Sequence, residues 1–147
     1  MRIIVVGCGR TGRRLARAFA ERGDEVTVVD RRTAMLEQLA ELPGVHVVAG
    51  LGFDQEVLRR AGAAEADLLV AATENDNANL MVADVAHLLL GTRRVLLIVN
   101  DAEGSEIYQR FGYDVIVPVE LGVQKALLCA ASVAGQAAGS RPEAGGR

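Results

Sequence analysis

A β-branched run that passes straight into a glycine turn limits what this chain can fold into more than any other feature. Ile3-Ile4-Val5-Val6 reads as a buried strand, Gly7-Cys8-Gly9-Arg10-Thr11-Gly12 as a turn, and Arg13-Arg14-Leu15-Ala16-Arg17-Ala18-Phe19-Ala20 as a helix. A second apolar run, Val26-Thr27-Val28-Val29, follows and ends in Asp30. Strand, glycine turn, helix, strand and acidic residue form the order of a nucleotide-binding βαβ unit. Each residue type answers a physical demand. Gly7 permits the tight turn, Gly9 lets a phosphate approach the backbone, and Gly12 lets the helix lie close on the strand. The free N–H groups at the helix start face an anion. Asp30 is placed to accept hydrogen bonds from ribose hydroxyls. A purely structural glycine turn, without a ligand, is the competing reading.

The alternation continues down the chain. A helix from Arg31 to about Leu42 is stopped by Pro43-Gly44. Val45-His46-Val47-Val48-Ala49 is a third strand, closed by Gly50-Leu51-Gly52, and a helix from about Phe53 to Ala61 stops at Gly62. Leu68-Leu69-Val70-Ala71-Ala72 is a fourth strand, followed by Thr73-Glu74-Asn75-Asp76, where Asn75 or Asp76 caps a helix reaching Leu90. Val95 to Val99 makes a fifth strand, about Glu103 to Phe111 a short helix, and Val115-Ile116-Val117 a sixth strand closed by Pro118. One more helix, from about Glu120 to Gln136, precedes a Gly-, Ser- and Pro-containing stretch over residues 139–147 that reads as a disordered tail. The expected fold class is α/β: a Rossmann-like doubly wound parallel sheet of six strands in the order 3-2-1-4-5-6. In such a sheet ligands sit at the carboxyl ends of the strands, beside the switch point between strands 1 and 4. That rule selects residues 7–12, Asp30 to Arg32, Gly50 to Gly52, and Ala72 to Asn75.

Composition excludes several function classes. The chain has 147 residues, 50% hydrophobic but only 3% aromatic and without Trp, which suits a single domain whose core is Ala, Val and Leu. A net charge of −3 argues against nucleic-acid binding and against attraction to an acidic membrane surface. No apolar run approaches the ~20 residues a membrane span needs. Arg2 leads directly into a strand, not a secretory segment, so a cytoplasmic location is expected. Cys8 and Cys129 have no metal-ligand spacing, and no metal site is expected. Cys8 reads as a small residue filling the turn, with redox sensing the lesser alternative.

Asp30 favours a free 2′-hydroxyl, since a carboxylate repels a 2′-phosphate, so NADP is disfavoured. Arg31 and Arg32 read mainly as a solvated helix start, with Arg31 over the adenine as the alternative. Arg10, Arg13, Arg14 and Arg17 share one helix face, where cations near the N-terminus oppose the dipole. Arg10 lies inside the turn and suits the pyrophosphate of NAD or a distal phosphate of ADP or ATP. Hydride chemistry needs a proton donor or acceptor, and none is convincing: no Tyr is followed four residues later by Lys, and Tyr108 and Tyr113 read as packing. No catalytic residue is assigned.

The sequence as a whole resembles the RCK (KTN, TrkA N-terminal) domains, the cytosolic gating subunits of potassium channels and Trk/Ktr transporters. The resemblance runs from Met1 to about Ala138. It is carried by the opening strand and glycine turn, Val28-Val29-Asp30, Leu58-Arg59-Arg60-Ala61-Gly62, Ala66-Asp67-Leu68-Leu69-Val70-Ala71-Ala72-Thr73, Asp76, Asn79, and Gly112-Tyr113-Asp114-Val115-Ile116-Val117-Pro118. It implies a nucleotide-binding lobe over residues 1–138 that takes NAD(H), ADP or ATP as a sensed ligand. By this resemblance Gly7, Gly9, Arg10, Thr11 and Gly12 hold phosphates and Asp30 holds the ribose. Gly50, Leu51, Gly52, Ala72, Thr73 and Glu74 border the adenosine. The expected partners are a membrane potassium transporter or channel subunit and further copies of the chain, as a homodimer or higher ring at the inner face of the membrane. The last helix is the expected interaction helix; Leu121, Leu127, Leu128 and Val133 give it more apolar surface than one lobe covers.

Three departures stand out. Leu51 occupies a position that is often acidic or small and polar in the family. Ile98 stands where a cation is usual, which weakens the case for ATP. Pro118-Val119-Glu120 replaces a Pro-Glu whose carboxylate serves some members as a metal ligand, so that role is not carried over. A small NAD-dependent oxidoreductase, or a piece of one, and a scaffold lobe with a vestigial pocket are the alternative functions.

Overall fold

A computed structural model describes residues 1–139, with side chains described through Val133. Apart from Gly139, the expected tail lies outside the described residues. Six strands, β1 (Arg2–Val6), β2 (Glu25–Asp30), β3 (Val45–Ala49), β4 (Leu68–Ala71), β5 (Val95–Ile98) and β6 (Asp114–Ile116), form one sheet in the order β3-β2-β1-β4-β5-β6. Every pairing is parallel. The fold is therefore the doubly wound α/β sheet expected. The chain reverses direction across the sheet at β1, which pairs with β2 on one side and β4 on the other, and so opens a crevice above their carboxyl ends.

Strand periodicity distributes the core between two layers. Ile3 and Val5 join Val26 and Val28 beneath α1 (Arg10–Glu21) and α2 (Thr33–Ala40), whose Ala16, Leu36 and Leu39 close that layer. Ile4 and Val6 face the opposite way. They meet Leu58 of α3 (Gln55–Arg60), Val82 and Ala83 of α4 (Asp76–Asp84), and Leu69 and Leu97 of the sheet. A smaller apolar patch joins Val70, Ala72 and Ile98 to Leu15 and Phe19 of α1. Ile98 thus packs in a hydrocarbon setting.

Several element ends fall elsewhere than the sequence suggests. The first helix begins at Arg10, so Arg10 and Thr11 belong to its first turn. The third starts late because Asp54 is its cap, its carboxylate accepting from the amides of Glu56 (2.8 Å) and Val57 (3.4 Å). A short 3₁₀ turn, Ala63–Glu65, precedes β4. After Asp84 the helical path widens through Val85–Leu89, where the Leu90 amide reaches back five residues to the Val85 carbonyl at 3.1 Å. A short helix, α5 (Ser105–Arg110), leads to β6.

Residues Met1–Val117 make one compact unit, and a second begins at Pro118. That second unit is α6 (Pro118–Gly139). Pro118 opens the helix instead of closing a strand, because the first helical position has no need of an N–H donor. Along it Val119, Leu121, Val123, Leu127, Leu128 and Val133 are all exposed. No helix among the described residues is long and apolar enough to cross a membrane.

Candidate functional site

The glycine turn is built as its spacing requires. Gly7 sits at φ +104°, and its amide donates to the Val29 carbonyl at 2.8 Å, locking the turn to the end of β2. A Cβ on Gly12 would stand 1.8 Å from the Gly7 carbonyl oxygen, so α1 can lie this close to β1 only with glycine there. The first intrahelical bond of α1 runs from the Arg13 amide to the Gly9 carbonyl at 3.1 Å. The N–H groups of the turn before it have no partner within the helix.

Asp30 ends β2 at 7% exposure, and its carboxylate is held from four directions. Oδ2 accepts from the Cys8 amide (2.7 Å) and from Arg32 Nη2 (3.1 Å). Oδ1 accepts from the Arg32 amide (2.9 Å) and Arg32 Nε (3.0 Å). Burial pushes the Asp30 pKa up, but the Arg32 side chain and the two amides more than offset it and hold the carboxyl below its usual range. Arg32, exposed at the start of α2, is not wholly given to solvent: its guanidinium folds back on Asp30. The Cys8 thiol is buried and donates to the Met35 carbonyl at 3.2 Å. Burial, with Asp30 beside it, raises its pKa and keeps it a thiol.

A cleft of about 480 Å³ opens over the carboxyl ends of the strands. Of the residues selected from sequence, Gly7, Asp30, Arg31, Arg32, Gly50, Leu51, Gly52, Thr73, Glu74 and Asn75 line it. Cys8, Gly9, Arg10, Thr11, Gly12 and Ala72 lie outside its lining. Gly12 is spent on helix packing, and Ala72 is buried with its carbonyl against Gly7. Arg10 and Thr11 are exposed on the first turn of α1. A Cβ on Gly9 would come within 3.6 Å of Glu74 Oε1, so Glu74 reaches over the glycine turn. A larger hollow, about 890 Å³, lies at the opposite ends of the strands around Arg93, Arg94, Leu96 and Ile116, away from the glycine turn. Among the described residues no group of three or more His, Cys, Asp or Glu could hold a metal ion.

Residues 3–119 match the sequence profile of the TrkA-N domain. The chain belongs to the TrkA-N family. It is 38% identical over 119 residues to the Trk system potassium uptake protein TrkA of Streptomyces coelicolor, covering 81% of this chain and 53% of that protein. The chain thus spans about half the length of that relative. In structure it is similar to the TrkA-N domain of the inner membrane protein ybaL from Escherichia coli, with a TM-score of 0.79 at 17% identity, covering 87% of this chain and 95% of that one. It is also similar to the GsuK channel bound to NAD, with a TM-score of 0.68 at 25% identity, over 80% of this chain and 21% of that one.

In this TrkA-N domain one wall of the cleft comes from a segment that the sequence left unassigned. Phe53 follows β3, while Asn77, Ala78, Met81 and Val82 project from α4. The signal was available in the helix spacing, since Ala78, Met81 and Val82 stand three and four residues apart on one face. Behind them Asn79, fully buried, bonds Thr73 and the Ile98 carbonyl. Asp76 at the start of α4 accepts from the amides of Asn100 and Asp101, each at 3.0 Å, and so ties the cleft wall to the loop after β5.

Proposed function

We propose that this chain is the nucleotide-sensing lobe of a regulatory subunit of a potassium transport system, with residues 1–138 forming the lobe. The observation that carries the reading is the Asp30 carboxylate, buried at the end of β2, lining the cleft and held to the Cys8 amide of the glycine turn. A carboxylate in that place suits a ribose diol, and the N–H groups at the start of α1 suit the phosphates that follow it. Phe53, Met81 and Leu51 give the cleft the apolar contacts an adenine ring needs. The ligand class is therefore an adenine nucleotide: NAD(H), ADP or ATP. Membership of the TrkA-N family supports the reading, as does the likeness to a channel whose structure was solved with NAD. Arg10 and Thr11, outside the cleft but on the first turn of α1, are assigned to the outer phosphates.

Catalysis is not part of the proposal. The cleft lining contains no His, Cys, Tyr or Lys, and of its two carboxylates, Asp30 and Glu74, the first is held by four donors. Binding instead biases the arrangement of lobes. The exposed apolar residues of α6 are assigned to contact with another copy of the chain in a dimer or ring, coupled to a membrane potassium transporter or channel at the inner face of the membrane. Isothermal calorimetry with NADH, ADP and ATP tests the core of this. Saturable binding without turnover of NADH is expected, and absence of binding by all three removes the proposal.

A further inference from the structure

We infer that Arg32 is a built-in competitor for the ribose hydroxyls, its guanidinium occupying on Asp30 the two acceptor sites that a cis-diol requires. This rests on the nucleotide reading and adds to it a residue that decides which ligands can enter.

An ionised carboxylate has about four lone-pair sites. Asp30 has four donors on it, two to each oxygen. The four are not equivalent. The Cys8 and Arg32 amides belong to the backbone and stay where the turn and strand put them. The other two, Nε on Oδ1 at 3.0 Å and Nη2 on Oδ2 at 3.1 Å, belong to one side chain that is 46% exposed. Its planar fork offers one donor to each oxygen. Two neighbouring ribose hydroxyls make the same demand on the same two oxygens. The diol and the fork are therefore mutually exclusive, and the carboxylate need not move when one replaces the other.

Two consequences follow for a ligand. It must supply two donors to displace the fork, so a sugar lacking them gains nothing at Asp30 and leaves Arg32 in place. Its affinity is also lowered by whatever the Arg32–Asp30 pair contributes without it. Removing the Arg32 side chain should then strengthen binding of an anionic nucleotide, although loss of a cation from the cleft would by simple attraction weaken it. The sign of the effect separates the two accounts.

The experiment titrates the wild-type chain, Arg32→Ala and Arg32→Gln calorimetrically with ADP and with 2′,3′-dideoxy-ADP. Neither substitution strands the carboxylate, which keeps its two amide donors, and thermal unfolding without ligand confirms that the variants fold. ADP should bind Arg32→Ala about threefold to tenfold more tightly than wild type, the range expected when a half-exposed ion pair no longer has to be broken. The dideoxy analogue should show no gain. If wild type binds ADP and both variants bind it equally or more weakly, Arg32 is not a competitor, while the nucleotide reading stands. If both ligands gain equally, Arg32 merely fills space and the diol argument is wrong. If no protein binds ADP, NADH or ATP, the nucleotide reading itself fails and this inference with it.

Discussion

Asn79 holds Thr73 by three hydrogen bonds at once: its Oδ1 accepts from the Thr73 amide at 2.9 Å and hydroxyl at 2.6 Å, and its Nδ2 donates to the Thr73 carbonyl at 3.1 Å. The same Nδ2 donates to the Ile98 carbonyl at 2.9 Å. One buried amide thus fixes the cleft rim after β4 to the end of β5. Asn79→Ala leaves the half-buried Thr73 amide and the buried Ile98 carbonyl without these partners. We expect a loss of about 2–4 kcal/mol in urea unfolding, as for other broken buried networks. Nucleotide affinity should fall with it, because Thr73 is no longer held at the rim.

Asp30 should couple stability to acid and binding to ribose. Its folded pKa lies below the ordinary value, since hydrogen bonds from Arg32 and Cys8 outweigh the opposing effect of burial. A carboxyl depressed on folding contributes stability that is present above its unfolded pKa, about 3.9, and is lost as pH falls through the folded value. The stability gap between wild type and Asp30→Asn should therefore be flat near neutrality and close below about pH 4, as read by urea midpoints across pH. Asp30→Ala should weaken ADP binding about tenfold or more by calorimetry, with the two ribose donors left unpaired.

The glycines of the turn should separate into structural and ligand-facing kinds. A Cβ at residue 12 meets backbone, 1.8 Å from the Gly7 oxygen and 3.0 Å from its carbon, and no rotamer relieves that. Gly12→Ala should cost about 3 kcal/mol or more in equilibrium denaturation, as severe overpacking does. At residue 9 the nearest atom is the flexible end of Glu74 at 3.6 Å, and φ −75°, ψ −165° suits any residue. Gly9→Ala should leave stability within about 1 kcal/mol of wild type and yet weaken nucleotide binding, because the proposed function puts a phosphate against this turn. Equal losses of stability in the two variants would contradict this division.

The sheet was legible because its strands carry a strong local signal: short apolar runs, most of them rich in β-branched residues, each with a helical segment after it. The expected strand order came with the doubly wound class that six alternating strands and helices imply. Asp30 was legible for the same reason, since its place at the end of the second strand is set by register and not by side-chain packing. Arg32 was not. Arg-Arg-Thr before a helix reads the same whether the second guanidinium is in water or folded onto the preceding strand end, and only the path of the chain around Asp30 decides it. The cleft wall from α4 was hidden in another way. Met81 is 49% exposed, and an apolar residue on a helix is read as core unless the neighbouring surface is known. The widened turn at Val85–Leu89 has no local cause in sequence either. Its surroundings are tertiary: Thr92, fully buried, donates through its hydroxyl to the Ala63 carbonyl at 2.8 Å, and its amide donates to the Ala86 carbonyl at 2.9 Å.

Tyr113, at the far side of α4 from the cleft, should give the chain a second pH dependence of opposite sense. Its ring is buried and lies T-shaped to His87 with centroids 5.8 Å apart, and its hydroxyl donates to Asp84 Oδ1 at 2.6 Å, tying the end of α4 to the start of β6. Burial first, and then the Asp84 carboxylate, raise the phenol pKa well above its ordinary value. For a group whose pKa is raised on folding, the stabilisation is complete below the unfolded pKa, about 10, and is lost as pH climbs toward the folded value. Tyr113→Phe removes both the hydrogen bond and the ionisable group. At neutral pH it should cost about 1–2 kcal/mol, the usual worth of a hydrogen bond to a charged acceptor. Above about pH 10 wild type should lose stability relative to the variant, by up to about 1.4 kcal/mol per pH unit, so the two curves draw together. Paired urea titrations of both proteins from pH 7 upward measure this, and a gap unchanged with pH would show that the Tyr113 hydroxyl is not held in its neutral form by the fold.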